Sequence, residues 1–225
     1  MAQAGIHALV GAAMRKLSPT KEWLMLGILL GSLIPDLDNY LVAVATLAGL
    51  KTDGLHRTFT HSILMMLAAA LVFWIIAQAR HQPRWTTLGL GFGAGIGLHI
   101  LLDLLIWFNG VELLWPFGGW LNLWGGVTPP AWFSKLLDPA EFLFFALFFA
   151  WLARTARRQQ TDQNFLGKLR LWIIAMLVLL VVFTPLAYLM SKGFMTIYGV
   201  FYLISITAAF VITLRMRKTV EAFGN

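Results

Sequence analysis

The fold of this chain is decided by a long apolar stretch that carries two carboxylates at its middle. Residues 23–50 are WLMLGILLGSLIPDLDNYLVAVATLAGL, and the apolar runs 23–34 and 40–50 stop at Pro35-Asp-Leu-Asp38. Neither run reaches the ~20 residues that a helix needs to cross a bilayer, but together they exceed that length. We therefore expect one membrane span that is broken at the Pro-Asp-Leu-Asp element. Irregular backbone at membrane depth is tolerated only where it lines a cavity, so the break predicts such a cavity.

The composition of the whole chain is that of an integral membrane protein. The 225 residues are 59% hydrophobic and only 12% charged, and the mean hydropathy is +0.76. A soluble domain carries about a quarter charged residues, so a water-facing fold, a disordered chain and a nucleic-acid-binding arm are excluded. The chain has no cysteine, which excludes thiolate catalysis and zinc–sulfur sites. Membrane lipids are the expected partners, and no nucleic acid is expected.

Further spans are predicted from apolar runs at residues 62–79, 86–108, 137–153, 169–190 and 194–214. A short helix is expected at 4–17. Residues 109–136 are rich in Gly, Pro and Trp, which is typical of an irregular loop at the membrane–water interface. The predicted fold class is all-α: a polytopic α-helical membrane protein with about six to seven membrane helices, some short or broken around an intramembrane site.

The basic residues predict the orientation of the chain. If the spans alternate, 13 of the 17 lysines and arginines fall on one face, and such positive loops mark the cytoplasmic side. This predicts a multi-pass protein of the bacterial inner (plasma) membrane with a cytoplasmic C-terminus, and it accounts for the net charge of +7. The predicted divisions are a metal-site membrane core (1–153), a basic cytoplasmic loop (154–168), a C-terminal helical hairpin (169–214) and a cytoplasmic tail (215–225).

Most of the remaining polar side chains are predicted to gather in the outer half of the membrane, opposite the basic face. They are His7, Asp36, Asp38, His56, Arg57, His61, His99, Asp103, Asp138 and Glu141. A charged side chain within a span costs about 2.5–3.5 kcal/mol on insertion scales, so such residues are generally functional and face a cavity. Imidazole and carboxylate groups without thiolates suit zinc, manganese or iron. The set therefore predicts a metal site.

Spacing within the set favours shared ligation. His99 and Asp103 are four residues apart on a predicted helix and can bind one ion from a single face. The two carboxylates of the Pro-Asp-Leu-Asp element can both turn inward and could bridge two ions. His56 and His61, five residues apart, fit one ligand from a loop and one from the start of a helix. Arg57 suits a phosphate group or the charge of a transition state.

Structural roles remain open for individual members of the set. A single buried histidine is most often a hydrogen-bonded core residue. Asp138 and Glu141 could be helix N-terminal carboxylates favoured by the dipole, so whether they belong to the site is left open. Ser62 is interpreted as an N-cap. The glycines at 89, 91, 93, 95 and 97 favour close helix packing over a phosphate loop.

Several motifs, in their order and spacing, resemble a known family. They are Gly5-Ile-His7, Ile34-Pro-Asp-Leu-Asp38, His56-Arg-Thr-Phe-Thr-His-Ser62, Gly97-Leu-His-Ile-Leu-Leu-Asp103 and Leu113-Leu-Trp-Pro116. These motifs resemble the bacterial YdjM-like proteins, described as LexA-regulated, inner-membrane, predicted metal-dependent hydrolases. The resemblance covers about residues 1–150. It places His7, Asp36, Asp38, His56, His61, His99 and Asp103 on the family's motif positions, whereas Asn39 stands where some members are expected to carry a further histidine.

The leading functional hypothesis is a membrane-embedded metal-dependent hydrolase that acts on a lipid or other amphiphilic phosphoester. One or two divalent ions, with zinc or manganese favoured, would activate a water molecule. Arg57 would bind the anionic group of the substrate, and Asp36, Asp38 or Glu141 could act as general base where it does not bind metal. The alternatives are a metal- or proton-coupled membrane transporter and a scaffold that holds a structural metal.

Overall fold

The computed structural model describes residues 4–190 and 192–222, and these residues are largely helical. Among them, six helices are long and apolar enough to cross a membrane. They are Leu24–Leu47, Ile63–Arg80, Pro83–Ile106, Ala131–Gln159, Gln163–Leu189 and Phe194–Arg215. The predicted all-α polytopic class is therefore confirmed.

The elements follow one another in a simple order. The helices are α1 (Ala4–Ala13), α2 (Leu24–Leu33), α3 (Asn39–Leu47), α4 (Ile63–Arg80), α5 (Pro83–Ile106), α6 (Ala131–Gln159), α7 (Leu166–Leu189), α8 (Phe194–Arg215) and α9 (Arg217–Glu221). Between α5 and α6, the short strands β1 (Val111–Glu112) and β2 (Trp120–Leu121) pair antiparallel.

The chain divides into two compact units. The site unit is Gly11–Thr128, and the C-terminal unit combines Met1–Val10 with Pro129–Asn225. The sequence predicts a different division, into a metal-site core, a basic loop, a helical hairpin and a tail. That division concerns function and orientation, and it stays a prediction.

The broken span is present at the residues predicted from the sequence. Helix α2 ends at Leu33, a 3-10 turn covers Pro35–Asp38, and α3 begins at Asn39. Pro35 favours this break because proline has no N–H to continue the helical hydrogen bonding. Asp36 and Asp38 are both buried, at 1% and 3% exposure. The break therefore turns two carboxylates into the interior of the site unit.

Helices α2 and α5 approach each other closely within the site unit. A Cβ atom added at Gly31 of α2 would collide with the carbonyl oxygen of Phe92, and one added at Gly95 of α5 would collide with that of Ile28. Small residues commonly allow membrane helices to come this close. The glycines of α5 are thus a packing surface, as interpreted from the sequence, and the pairing places the end of α2 beside the middle of α5.

Two boundaries differ from the predictions. Helix α6 was expected over 137–153, but it begins at Ala131, directly after Pro130, and continues through Pro139 to Gln159. Asp138 and Glu141 therefore lie well past its first turn, and the proposed interaction with the N-terminal dipole of this helix was wrong. The helix expected at 4–17 ends at Ala13, and a 3-10 turn covers Met14–Lys16.

Candidate metal centre

The site unit brings together seven of the residues singled out from the sequence. Asp36 and Asp38 come from the 3-10 turn after α2, His56 and Arg57 from the following loop, His61 from the 3-10 turn Phe59–His61, and His99 and Asp103 from α5. All are buried except His56, whose side chain is 20% exposed. The N-cap assigned to Ser62 is confirmed, because its hydroxyl accepts the N–H of Met65 at 3.1 Å and so starts α4 just after His61.

Asp36 and Asp103 each approach the imidazole pair of His61 and His99, and these four side chains form what we call the four-donor centre. The Nε2 atoms of the two histidines are 3.1 Å apart. Oδ1 of Asp36 lies 3.8 Å from Nε2 of His61 and 3.7 Å from Nε2 of His99. Oδ2 of Asp103 lies 3.5 Å and 3.9 Å from the same two nitrogens.

The hydrogen bonds around the centre fix where the protons of both imidazoles lie. Nδ1 of His99 is 2.8 Å from the carbonyl oxygen of Ser32, which can only accept, so this nitrogen carries the hydrogen. The Thr60 hydroxyl donates to Oδ2 of Asp38 at 2.6 Å. It must then accept from Nδ1 of His61, which is 2.9 Å away. In the neutral rings, both Nε2 atoms therefore present lone pairs.

Two lone pairs that face each other at 3.1 Å are satisfied either by one proton shared between the rings or by a metal ion. A proton shared by these two nitrogens would leave both carboxylates without a bond from either Nε2 atom, because hydrogen bonds are about 2.7–3.2 Å long and the four imidazole–carboxylate separations are 3.5–3.9 Å. Ligands about 2.0–2.1 Å from a tetrahedral ion are about 3.3–3.4 Å apart, within the range of separations found here. The donor set therefore fits a divalent metal ion.

Burial also favours the metal-binding form of His61. Removal of the ring from water lowers the pKa of His61 well below its ordinary value, and the neighbouring His99 lowers it further. The neutral imidazole is the form that binds metals. In addition, Oδ2 of Asp36 is buried and has no hydrogen-bond partner among the residues described, so this carboxylate has capacity left for a ligand.

Asp38 has different surroundings from Asp36. Its Oδ1 accepts from Nδ1 of His56 at 2.7 Å and from Nδ2 of Asn39 at 3.3 Å, while Thr60 occupies its Oδ2. Asn39, where the resemblance led us to expect a histidine in some members, thus supplies a hydrogen bond to a carboxylate. These bonds hold the Asp38 carboxylate in place, and its roles as a metal ligand and as a catalytic group stay predictions.

Arg57 lies at the edge of the four-donor centre. Its Nε atom is 3.5 Å from Oδ2 of Asp103, and the residue is 3% exposed. Its backbone has a φ of 62°, in the left-handed region that non-glycine residues seldom adopt. The N–H of Glu112 in β1 donates to the Arg57 carbonyl at 2.9 Å. The hairpin between α5 and α6 therefore holds the backbone that presents the guanidinium.

The other predicted site residues belong to the C-terminal unit. His7 is fully buried on α1. Oε1 of Glu141 accepts the N–H of Gly5, in the first turn of α1, at 2.8 Å. Asp138 is 4% exposed. The bond to Gly5 gives Glu141 a structural role, and the functional roles of these residues stay predictions.

The residues that sequence reasoning missed are hydrogen-bonding partners. Thr60 lies inside the His-Arg-x-x-Thr-His-Ser motif, so its place in that motif was the available signal. Ser32 acts through its backbone carbonyl, which can be recognised only once the helices are placed side by side. Asn39 had been noted only as a departure from the resemblance.

The fold and the site together define a class: a multi-pass helical membrane protein with buried His and Asp groups that could hold a metal ion. The chain belongs to the YdjM inner membrane protein family, whose model matches residues 2–212. The match includes α7 and nearly all of α8, so it extends past residue 150, where the motif resemblance ended. Neither the curated proteins nor the solved structures include a match to this chain.

Proposed function

We propose that this protein is a membrane-embedded metal-dependent hydrolase that acts on a lipid phosphoester or another amphiphilic phosphoester. The observation that carries the proposal is the four-donor centre, in which two imidazole lone pairs and two carboxylates converge beside a buried guanidinium. Zinc or manganese suits this set of nitrogen and oxygen donors. The ion would supply a Lewis acid that acidifies water and polarises a phosphoryl oxygen.

Arg57 supports the choice of an anionic substrate. A guanidinium binds phosphate oxygens through paired N–H donors, and burial strengthens such charge-assisted bonds. The side chain is 3% exposed and lies beside Asp103 of the centre. It would hold one anionic oxygen of the phosphoester while water breaks a P–O bond, which leaves a phosphate and an alcohol as products.

The segment between α5 and α6 supports an amphiphilic substrate. Residues 107–130 contain one charged residue, Glu112, and their apolar side chains include Phe117 at 89% exposure and Trp120 at 52%. Aromatic side chains outside the spans are typical of the membrane–water interface. The same hairpin contacts the site, since Glu112 donates to the Arg57 carbonyl and Leu113 accepts from Ile63. A lipid that meets the hairpin would therefore be close to Arg57.

The test is hydrolysis by the purified, full-length protein with its metal bound. Phosphatidic acid, phosphatidylglycerol and the soluble p-nitrophenyl phosphate are supplied in turn, with and without a chelator. We expect phosphate or alcohol release from a lipid substrate, its loss with the chelator, and its return when zinc or manganese is added back. His99→Ala should abolish turnover, and His81→Ala, at an exposed histidine after α4, should not.

Two results would overturn the proposal. One is metal-loaded protein that hydrolyses none of these substrates. The other is turnover that neither the chelator nor His99→Ala affects. Metal flux into liposomes without hydrolysis would instead support the transporter.

A further inference from the structure

Asp38 and the histidines near it form a closed hydrogen-bond network beside the four-donor centre. Asp38 accepts from Nδ1 of His56 and from the Thr60 hydroxyl, and Thr60 accepts from Nδ1 of His61. Nδ1 of His56, Nδ1 of His61 and both carboxylate oxygens of Asp38 are therefore already engaged in hydrogen bonds, which leaves Nε2 of His56 and, facing the four-donor centre, Nε2 of His61. A second ion bound by Nδ1 of His56 and Nδ1 of His61 would have to replace two of these bonds, the one to Asp38 and the one to Thr60.

We propose that Asp38 is a positioning residue, not a metal ligand, and that the centre holds one divalent ion bound by Asp36, His61, His99 and Asp103. This inference rests on the metal centre of the proposed function. A carboxylate that accepts the far N–H of a metal-binding histidine fixes the tautomer and the orientation of the ring. Here Asp38 acts on His61 through Thr60, since the Thr60 hydroxyl can accept from Nδ1 only because it donates to Asp38.

Thr60 provides the sharpest test, because its hydroxyl can be removed with little change in shape. Thr60→Val deletes the link between Asp38 and His61, whereas Thr60→Ser keeps it. The measurement is zinc stoichiometry and affinity of the purified full-length protein, with the visible spectrum of the cobalt(II)-substituted form. Loss of such a partner typically lowers metal affinity by about 10- to 100-fold.

We expect one zinc ion per chain in the wild type, in Thr60→Ser, in Thr60→Val and in Asp38→Asn. Affinity should fall about 10- to 100-fold in Thr60→Val and in Asp38→Asn and should stay near the wild-type value in Thr60→Ser. The cobalt spectrum of each variant should match that of the wild type, because the four protein ligands and the water of the proposed function are unchanged.

Two ions per wild-type chain, with one lost in Asp38→Asn, would overturn the inference. Equal affinities of Thr60→Val and Thr60→Ser would also overturn it. Absence of hydrolysis alongside the expected binding pattern would contradict only the proposed function, so the two failures are distinguishable.

A separate cavity in the C-terminal unit carries a second inference. It has a volume of about 660 Å³ and lies where the span Gln163–Leu189 begins and the span Phe194–Arg215 ends. Lys168, Arg215 and Lys218 line it, and Nζ of Lys168 lies 5.6 Å from the ring centroid of Phe165, which also lines the cavity. The acid of the cavity, Asp162, is engaged by the N–H and hydroxyl of Thr219, each at 2.9 Å.

We infer that this cavity binds the phosphate of an anionic phospholipid headgroup. Three cations at the ends of two membrane spans match a phosphate at the membrane surface, and side-chain amides of Gln160, Gln163 and Asn164 add neutral donors. Basic residues at the ends of membrane spans are expected from the orientation of the chain alone. That expectation does not require three of them to line the same cavity.

The test compares two variants of equal charge. The triple variant K168Q/R215Q/K218Q removes the cations of the cavity, and R154Q/R157Q/R158Q removes three exposed cations that do not line it. Native mass spectrometry counts the phosphatidylglycerol molecules retained per chain, with phosphatidylcholine and inorganic phosphate as separate probes. We expect retention of phosphatidylglycerol to fall only in the cavity variant. An equal loss of retained phosphatidylglycerol in both triple variants would overturn the inference. Binding of inorganic phosphate at the cavity without retention of phosphatidylglycerol would also overturn it.

Discussion

The substitution Gly95→Ala tests how the fold positions the metal centre. The added Cβ would collide with the carbonyl oxygen of Ile28 and would lie 2.8 Å from the Ser32 nitrogen and 2.9 Å from the Gly31 carbonyl carbon. All three atoms belong to the backbone of α2, which no side-chain rotation can move. Helices α2 and α5 must therefore separate, and the bond between Nδ1 of His99 and the Ser32 carbonyl must lengthen.

Gly97→Ala is the matched control on the same helix. Its Cβ would meet only the Sδ atom of Met66, at 3.1 Å, and this is part of a flexible side chain. Both variants gain up to ~1 kcal/mol from the better helix propensity of alanine, so the difference between them isolates the overpacking. Overpacking typically costs about 1–3 kcal/mol, and Gly95→Ala should be less stable than Gly97→Ala by that amount.

The assay is reversible unfolding in mixed detergent micelles, followed by tryptophan fluorescence, together with zinc affinity for each variant. Gly95→Ala should show both lower stability and weaker zinc binding. Equal stability of the two variants would refute the close packing of α2 and α5. Lower stability with unchanged zinc affinity would refute the link between that packing and His99.

Three further predictions concern single contacts. Ser62→Ala should lower the free energy of unfolding by about 0.5–2 kcal/mol, because α4 loses its N-cap. Ser62→Thr keeps a hydroxyl and should not lower it. Equal unfolding free energies of the two variants would contradict the N-cap. Glu141→Ala should cost about 1–3 kcal/mol in the same assay, because the N–H of Gly5 loses its acceptor, whereas Glu141→Gln should recover most of that loss. Arg57→Lys should raise KM for a lipid phosphoester at least about tenfold at unchanged metal content, since lysine cannot bind two phosphate oxygens in a planar fork; an unchanged KM would exclude Arg57 from substrate binding.

Local patterns made much of the fold predictable. The break at Pro35–Asp38 follows from one proline between two apolar runs, and the spacing of His99 and Asp103 on α5 follows from helical geometry. The start of α6 was harder to predict, because Pro139 is tolerated inside this helix. Proline is more common in the first turn of a helix than in its interior. Pro139 therefore favoured a predicted start at residue 137.

The finer arrangement of the site needed the structure. The hydrogen bond that fixes the tautomer of His99 comes from a carbonyl 67 residues away in the chain. The residue type of Ser32 does not predict that role, because the contact is made by its backbone carbonyl. In the same way, Asp36 and Asp38 look equivalent in the sequence. The donors around Asp38, and the open Oδ2 of Asp36, separate them only after folding.

The most direct test of the central claim is the metal content of the purified protein by inductively coupled plasma mass spectrometry. The wild type and His81→Ala should carry one divalent ion per chain, and His61→Ala and His99→Ala should carry almost none while keeping a cooperative unfolding transition. Full metal content in both centre variants, or none in a folded wild type supplied with zinc and manganese, would contradict the four-donor centre.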